Sequence, residues 1–183
     1  MNIWFTSDLH FGHHGMCKFL NYDGSKIRPW DSIEEMDEVL VERFNERVKP
    51  EDKCYILGDV ALNLRAIPML ERLNCKNLRL IKGNHDTFKL EKYLPYFTDI
   101  RAYHVIDKML LGHIPVHPDC LGRWGFQIHG HLHNEVVLLP DGTPDNRYMN
   151  ISVERTDFYP ISLDNIIEER NRRGICESQY SRN

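Results

Sequence analysis

Three short apolar segments, each closed by a polar cluster, constrain the fold of this chain more than any other feature. Ile3-Trp4-Phe5-Thr6 runs into Ser7-Asp8-Leu9-His10, Cys54-Tyr55-Ile56-Leu57 into Gly58-Asp59, and Leu78-Arg79-Leu80-Ile81 into Gly83-Asn84-His85-Asp86. Runs of that length read as buried strands. Helical signals lie between them. Asp31 or Ser32 caps a stripe of Ile33, Met36, Val39, Leu40, Phe44 and Val48, stopped by Pro50, and spacing of about 3.6 residues makes that stripe core. A second helix is expected over 66–73 and a short one before Pro95. Strand–helix alternation implies parallel pairing by right-handed crossovers. Open sheets of this kind bind ligands at the carboxyl ends of their strands, which is where the polar clusters fall.

Residues 12–31, with Gly12, Gly15, Gly24 and Pro29, read as loop. Beyond residue 100 the rhythm changes. Segments 102–106, 109–111, 126–129, 136–139 and 148–153 look like strands, and Asp141-Gly142 marks a hairpin. The sheet is therefore expected to become mixed or antiparallel late. A last helix starts near Ser162, and a polar, frayed tail follows Gly174. With 183 residues and no linker or repeat, a single domain over 1–183 is expected.

Histidine is the compositional oddity. Of ten, three fall in residues 10–14 and five in residues 113–133. In extended chain, side chains at i and i+2 point the same way, so Asp8 pairs with His10 and His131 with His133. His129 shares that parity, so parity does not choose between the pairs. The donors are His, Asp and Asn, without thiolate. Imidazole suits zinc, iron, nickel and cobalt, while carboxylate and amide oxygens suit manganese. There are more donors than one cation needs, and a bridging carboxylate would hold two, as in two-metal phosphate-ester chemistry.

Taken in order, Asp8-x-His10, Gly58-Asp59, Gly83-Asn84-His85-Asp86, Gly112-His113 and Gly130-His131-Leu132-His133 resemble the signature blocks of the calcineurin-like metallophosphoesterases. Gly-Asn-His-Asp alone arises by chance in about one chain in a thousand of this length, so five ordered blocks carry weight together. The chain is similar to compact bacterial and phage members. The resemblance implies a four-layer α/β/β/α sandwich of two mixed sheets flanked by helices. It implies that Asp8, His10, Asp59 and His133 hold one divalent ion (Mn²⁺, Fe²⁺, Zn²⁺ or Ni²⁺). Asp59, Asn84, His113 and His131 would then hold a second. His85 would be the proton donor, with Asp86 orienting it, and a hydroxide between the ions would attack phosphorus. The protein Ser/Thr phosphatases of the superfamily carry Asp-Arg-Gly after the second block and Glu at the end of the third. This chain continues Gly58-Asp59-Val60-Ala61-Leu62 and ends the third block in Asp86, which disfavours a phosphoprotein substrate. Nor do the 183 residues hold an appended domain of the kind that selects a DNA end in the superfamily's repair nucleases.

Other residues have plainer readings. His13 and His14 read as loop histidines first and as substrate contacts second, and His14 is kept as a substrate-binding candidate. His129 reads as packing or support for a ligand, and His104 and His117 as surface or structural groups. Arg28 and Arg123, both in loops, are candidates to clamp a phosphate in two-pronged fashion. Trp124 and Phe126 could stack on a base, but core packing is the default for such side chains.

The expected function is hydrolysis of a small phosphodiester or nucleotide-type ester. Lys and Arg total 23 against 27 Asp and Glu, a net charge of −4. That balance speaks against a non-specific nucleic-acid binder. A metal-dependent nuclease is the alternative, and it would need a local basic groove to which Lys18, Lys26 and Arg28 could contribute. A metal-stabilised binding module without catalysis is the alternative from another class. The five cysteines form no Cys-x-x-Cys and are odd in number, which fits reduced thiols in cytoplasm. No apolar run approaches the roughly 20 residues of a membrane span, and the first residues lack the basic start of a secretory signal.

Overall fold

The computed structural model describes residues 1–175. Cys176 and the rest of the expected polar tail lie outside them. Strand β1 (Ile3–Thr6) pairs in parallel with β2 (Lys53–Ile56), which pairs in parallel with β3 (Asn77–Ile81). Thr6 sits opposite Ile56 and Ile56 opposite Leu80. This register brings the three polar clusters to one edge of the sheet. Backbone bonds continue past the strands: Asp8 N donates to Gly58 O at 3.1 Å and His10 N to Asp59 O at 2.9 Å.

Helix α1 (Ile33–Arg47) covers one face. Ser32 caps it, accepting from Glu35 N at 3.1 Å, the arrangement a Ser-x-x-Glu start encodes. The expected stripe is the buried one: Met36, Leu40, Phe44 and Val48 pack on Cys54, Ile56, Leu78 and Leu80. Each such aliphatic or aromatic side chain contributes about 1.5–3 kcal/mol on burial. The alternate residues of the same strands, Phe5, Tyr55, Leu57 and Ile81, face a second sheet.

That second sheet has the order β5 (His104–Ile106), β6 (Met109–Leu111), β7 (Gln127–His129), β8 (Tyr148–Asn150). Met109, Leu111, Phe126, Ile128 and Met149 supply its share of the core between the sheets. Helix α2 (Leu163–Arg172) adds Ile166 to that core, and Ser162 caps it by accepting from Asn165 N at 3.2 Å. Two mixed sheets flanked by helices form an α/β/β/α sandwich, as expected.

Details differ from the sequence reading. Strand β4 (Asp99–Arg101) joins the first sheet beside β3, and β9 (Ile161–Ser162) joins it antiparallel to β1. Both are too short for a periodic signal. The second sheet is mixed, as expected, antiparallel at β5–β6 and parallel through β6, β7 and β8. The long connections 112–126 and 130–147 give room for that crossover. Segment 136–139 forms no strand. A single bridge, Leu138 to Pro144, spans the Asp141-Gly142 turn, because Leu138 and Leu139 are exposed and have no sheet to join. The helices expected over 66–73 and before Pro95 are 3₁₀ turns, Ile67–Arg72 and Leu90–Lys92. Cys17, Cys54 and Cys75 are buried, Cys120 is exposed, and all four are unpaired. Among the described residues, no helix is long and apolar enough to cross a membrane.

Asp37 on α1 ties the loop after β1 to the helix, its carboxylate accepting from Gly12 N at 3.1 and 3.3 Å. Burial pushes its carboxyl up to about 6. The folded state therefore binds more protons than the unfolded state between about pH 4 and pH 6, and stability falls as pH rises through that window. Asp37→Asn keeps the acceptor and removes the charge. The variant should melt higher than wild type at pH 7 and lose that advantage near pH 4. A difference in Tm that does not vary between these two pH values would contradict this account.

Candidate metal centre

Sharp turns at the strand ends aim the functional side chains. Asp8, His10, Asp59, His131 and His133 all have left-handed backbone, with φ of 59°, 51°, 54°, 71° and 49°. Such a conformation costs a residue other than glycine about 1–2 kcal/mol, and such strain clusters at functional sites. The convergence of Asp8 with His10, and of His131 with His133, thus arises from these turns and not from the alternation of an extended chain. Two glycines make room. A Cβ at Gly130 would overlap Ser7 Oγ and Asp8 Oδ2, and one at Gly83 would overlap Asp59 Oδ1.

The side chains gather into two groups. Asp8, His10 and His133 form one, and Asp59, His113 and His131 the other; within each, one donor atom per residue lies within 4.8 Å of the others. Asp59 connects them. Its Oδ2 lies 3.6 Å from His10 Nε2 and 3.2 Å from His113 Nε2. Asn84 Oδ1 stands 2.9 Å from the same His113 nitrogen, which adds the expected amide oxygen to the second group.

Two divalent cations fit this donor set. Both ring nitrogens of His10 are buried and have no hydrogen-bond partner, a costly state for an imidazole unless something coordinates it. Burial, reinforced by the Arg28 charge, holds His10 well below the usual imidazole range. It is therefore neutral, which is the ligating form. His113 Nδ1 meets Leu57 O at 2.7 Å and His133 Nδ1 meets Glu154 Oε1 at 3.0 Å. Each contact holds Nδ1 as the donor and leaves Nε2 for a cation. Asp8 is fixed by His131 N at 3.0 Å and Ser152 Oγ at 2.9 Å, both bound to Oδ2.

Sequence reasoning missed Glu154. It is buried and accepts from Arg28 Nε at 2.8 Å as well as from His133. Burial opposes its charge, but Arg28 and His133 outweigh burial and hold the carboxyl at about 2. A single glutamate following a strand carries no motif. Only the fold brings it 126 residues back to Arg28.

Arg28 corrects an expectation. It is fully buried, its guanidinium donates to Glu154, to Leu9 O at 2.8 Å and to Asp8 O, and no face is left for a substrate phosphate. Asp86 differs from its expected role too. Its carboxylate accepts from the backbone N–H groups of Asp59 (2.9 Å), Val60 (3.0 Å) and Gly83 (2.8 Å), so it positions two loops and not the His85 ring. His85 is exposed, with its ring centroid 5.5 Å from that of His10 and its N–H on Asp59 Oδ1 at 2.8 Å. His14 is exposed and opens a 3₁₀ turn, His14–Cys17; its neighbour His13 is the one whose ring lies 5.6 Å from His10. Arg123 is exposed on the turn before β7. His129 is buried outside both groups, bonded to Gly130 O at 2.8 Å, and burial lowers it to about 4.

Fold and donors together define a protein with a dinuclear metal-binding site of the phosphoesterase type. A family model for calcineurin-like phosphoesterases matches residues 1–173, and the chain belongs to that family. It is similar to an uncharacterized protein of Methanocaldococcus jannaschii, at 34% identity over 171 residues, covering 91% of this chain and 89% of that one. It is 33% identical over 90 residues to the Gene 66 protein of Mycobacterium phage L5, an alignment that spans 46% of this chain and 40% of the phage protein. A crystal structure of a protein of unknown function from Aquifex aeolicus shares the fold, with a TM-score of 0.66 at 23% identity, over 91% of this chain and 98% of the other.

Glu154→Gln separates support from ligation. It leaves the Arg28 guanidinium buried without its counter-charge, which should cost about 3 kcal/mol in urea unfolding. Loss of the carboxylate behind His133 should weaken metal affinity about tenfold or more. Unchanged stability and unchanged metal affinity would contradict both roles.

Proposed function

We propose that the chain is a metal-dependent phosphoric ester hydrolase acting on a small phosphodiester or nucleotide-type ester. The observation that carries this reading is the position of Asp59 Oδ2, within 3.6 Å of an imidazole from each group. One carboxylate so placed would be shared by the residues that hold the two cations. A bound pair of divalent ions would supply the positive charge that acidifies water and neutralises phosphoryl oxygens.

The chain's own residues supply the rest. His85, exposed beside His10 and anchored through its backbone to Asp59, stands where it can protonate a departing alkoxide. His13 flanks the same ring, and with the exposed Arg123 it is the candidate to hold the ester, in place of Arg28. The donors, nitrogen and oxygen without sulfur, suit Mn²⁺, Fe²⁺, Zn²⁺ or Ni²⁺. Of the three cations expected to make a groove for nucleic acid, Arg28 is buried against Glu154 and Lys26 is paired with Asp31. That supports a small ester over a polynucleotide. The four unpaired cysteines support a reducing, cytoplasmic setting.

Asp59→Asn should cut turnover of bis-nitrophenyl phosphate at least about a hundredfold and deplete bound metal, measured by kinetics and elemental analysis. Retained turnover with full metal content would remove Asp59 from the shared position, and wild-type protein inert with every cation tried would favour the binding module. His85→Asn should slow esters of alkyl alcohols far more than nitrophenyl esters, whose leaving group needs no proton. Equal losses on the two would take the acid role from His85.

A further inference from the structure

A cleft of about 500 Å³ opens beside the second ligand group, and its lining includes His113 and Asn84. Its other walls are mostly apolar: Tyr103 from the connection between β4 and β5, Ile114 after β6, and Val116 and Trp124 from the turn before β7. Tyr103 is 60% and Ile114 50% exposed, an apolar lining open to solvent next to the polar His113 and Asn84 side chains. The Tyr103 and Trp124 rings stand 6.5 Å apart at 51°. Contiguous exposed aromatic surface in a concavity marks a ligand site.

We infer that this cleft holds a nucleobase, the flat organic part of the ester whose phosphate sits at the Asp59 centre. The inference rests on the phosphoesterase reading and specifies its substrate class. Continuity fixes the occupant: His113 and Asn84 belong to the cleft and to the ligand group alike, so an ester anchored at the centre extends its substituent between them and the aromatic rings. Aromatic side chains recognise any base by its π-face. A site built this way prefers nucleotides without selecting strongly among bases.

Calorimetry on the metal-loaded protein tests this without turnover. The ligands are the non-hydrolysable phosphonate isostere of adenosine 5′-monophosphate and, as base-free control, methylphosphonate. The nucleotide analogue should bind at least about tenfold more tightly, the effect of one stacked base. Tyr103→Ala, and separately Trp124→Leu, which retains apolar bulk, should remove most of that advantage and leave methylphosphonate affinity unchanged. Equal affinity for the two ligands in wild type overturns the cleft assignment and leaves the phosphoesterase reading standing. A variant that weakens both ligands alike also overturns the assignment. Failure of both ligands to bind the metal-loaded protein overturns the cleft together with the reading beneath it.

Discussion

The placement of the Asp59 carboxylate is the constraint on which the rest of the site depends. Burial alone would push this group toward its neutral form, but the His113 hydrogen bond and the surrounding charges outweigh burial and hold it ionised. Oδ1 is spent on the His85 backbone, which leaves Oδ2 to face both ligand groups. Asp86 in turn fastens the Asp59 and Val60 backbone to the Gly83 loop. One acid thus connects the two groups, and a second acid, bonded to the backbone of the first, holds it in place.

A chain of buried charge supports the other half of the centre. Arg28 reaches Glu154, and Glu154 reaches His133. Arg28 also grips the carbonyls of Asp8 and Leu9, the turn that presents the first ligands. Ions removed from water are tolerable only when every partner is present, and this one spans the loop before α1, the end of β1 and the segment after β8. The two sheets are stitched at the same place, where Ser7 bridges Ser152 and Ser152 holds Asp8. Strained left-handed residues persist there because surrounding bonds over-determine them.

Local patterns made much of this legible. Helix α1 with its cap and stripe, strands β1 to β3, and the turn glycines all rest on spacing and turn chemistry that a short window contains. All seven expected ligands lie together because each belongs to a block with its own signature. Strands β4 and β9 escaped notice because two or three residues show no period. The late sheet is mixed, within the mixed-or-antiparallel expectation; which of its neighbours run parallel depends on where a long connection passes, not on the strand's composition.

Residue types alone defined the pool of candidate donors: imidazoles, carboxylates and an amide beside glycines at strand ends, a local demand for sharp turns and donor atoms. What tertiary structure decided was function by proximity. It turned Arg28 from a solvent-facing clamp into a buried counter-ion, gave Glu154 a role no motif announces, and set Asp86 on backbone amides instead of the His85 ring. Most of the contacts behind these roles join residues 19 to 126 positions apart. An arginine or a lone acid looks the same in sequence whether it meets water or another charge, and only packing removes the water.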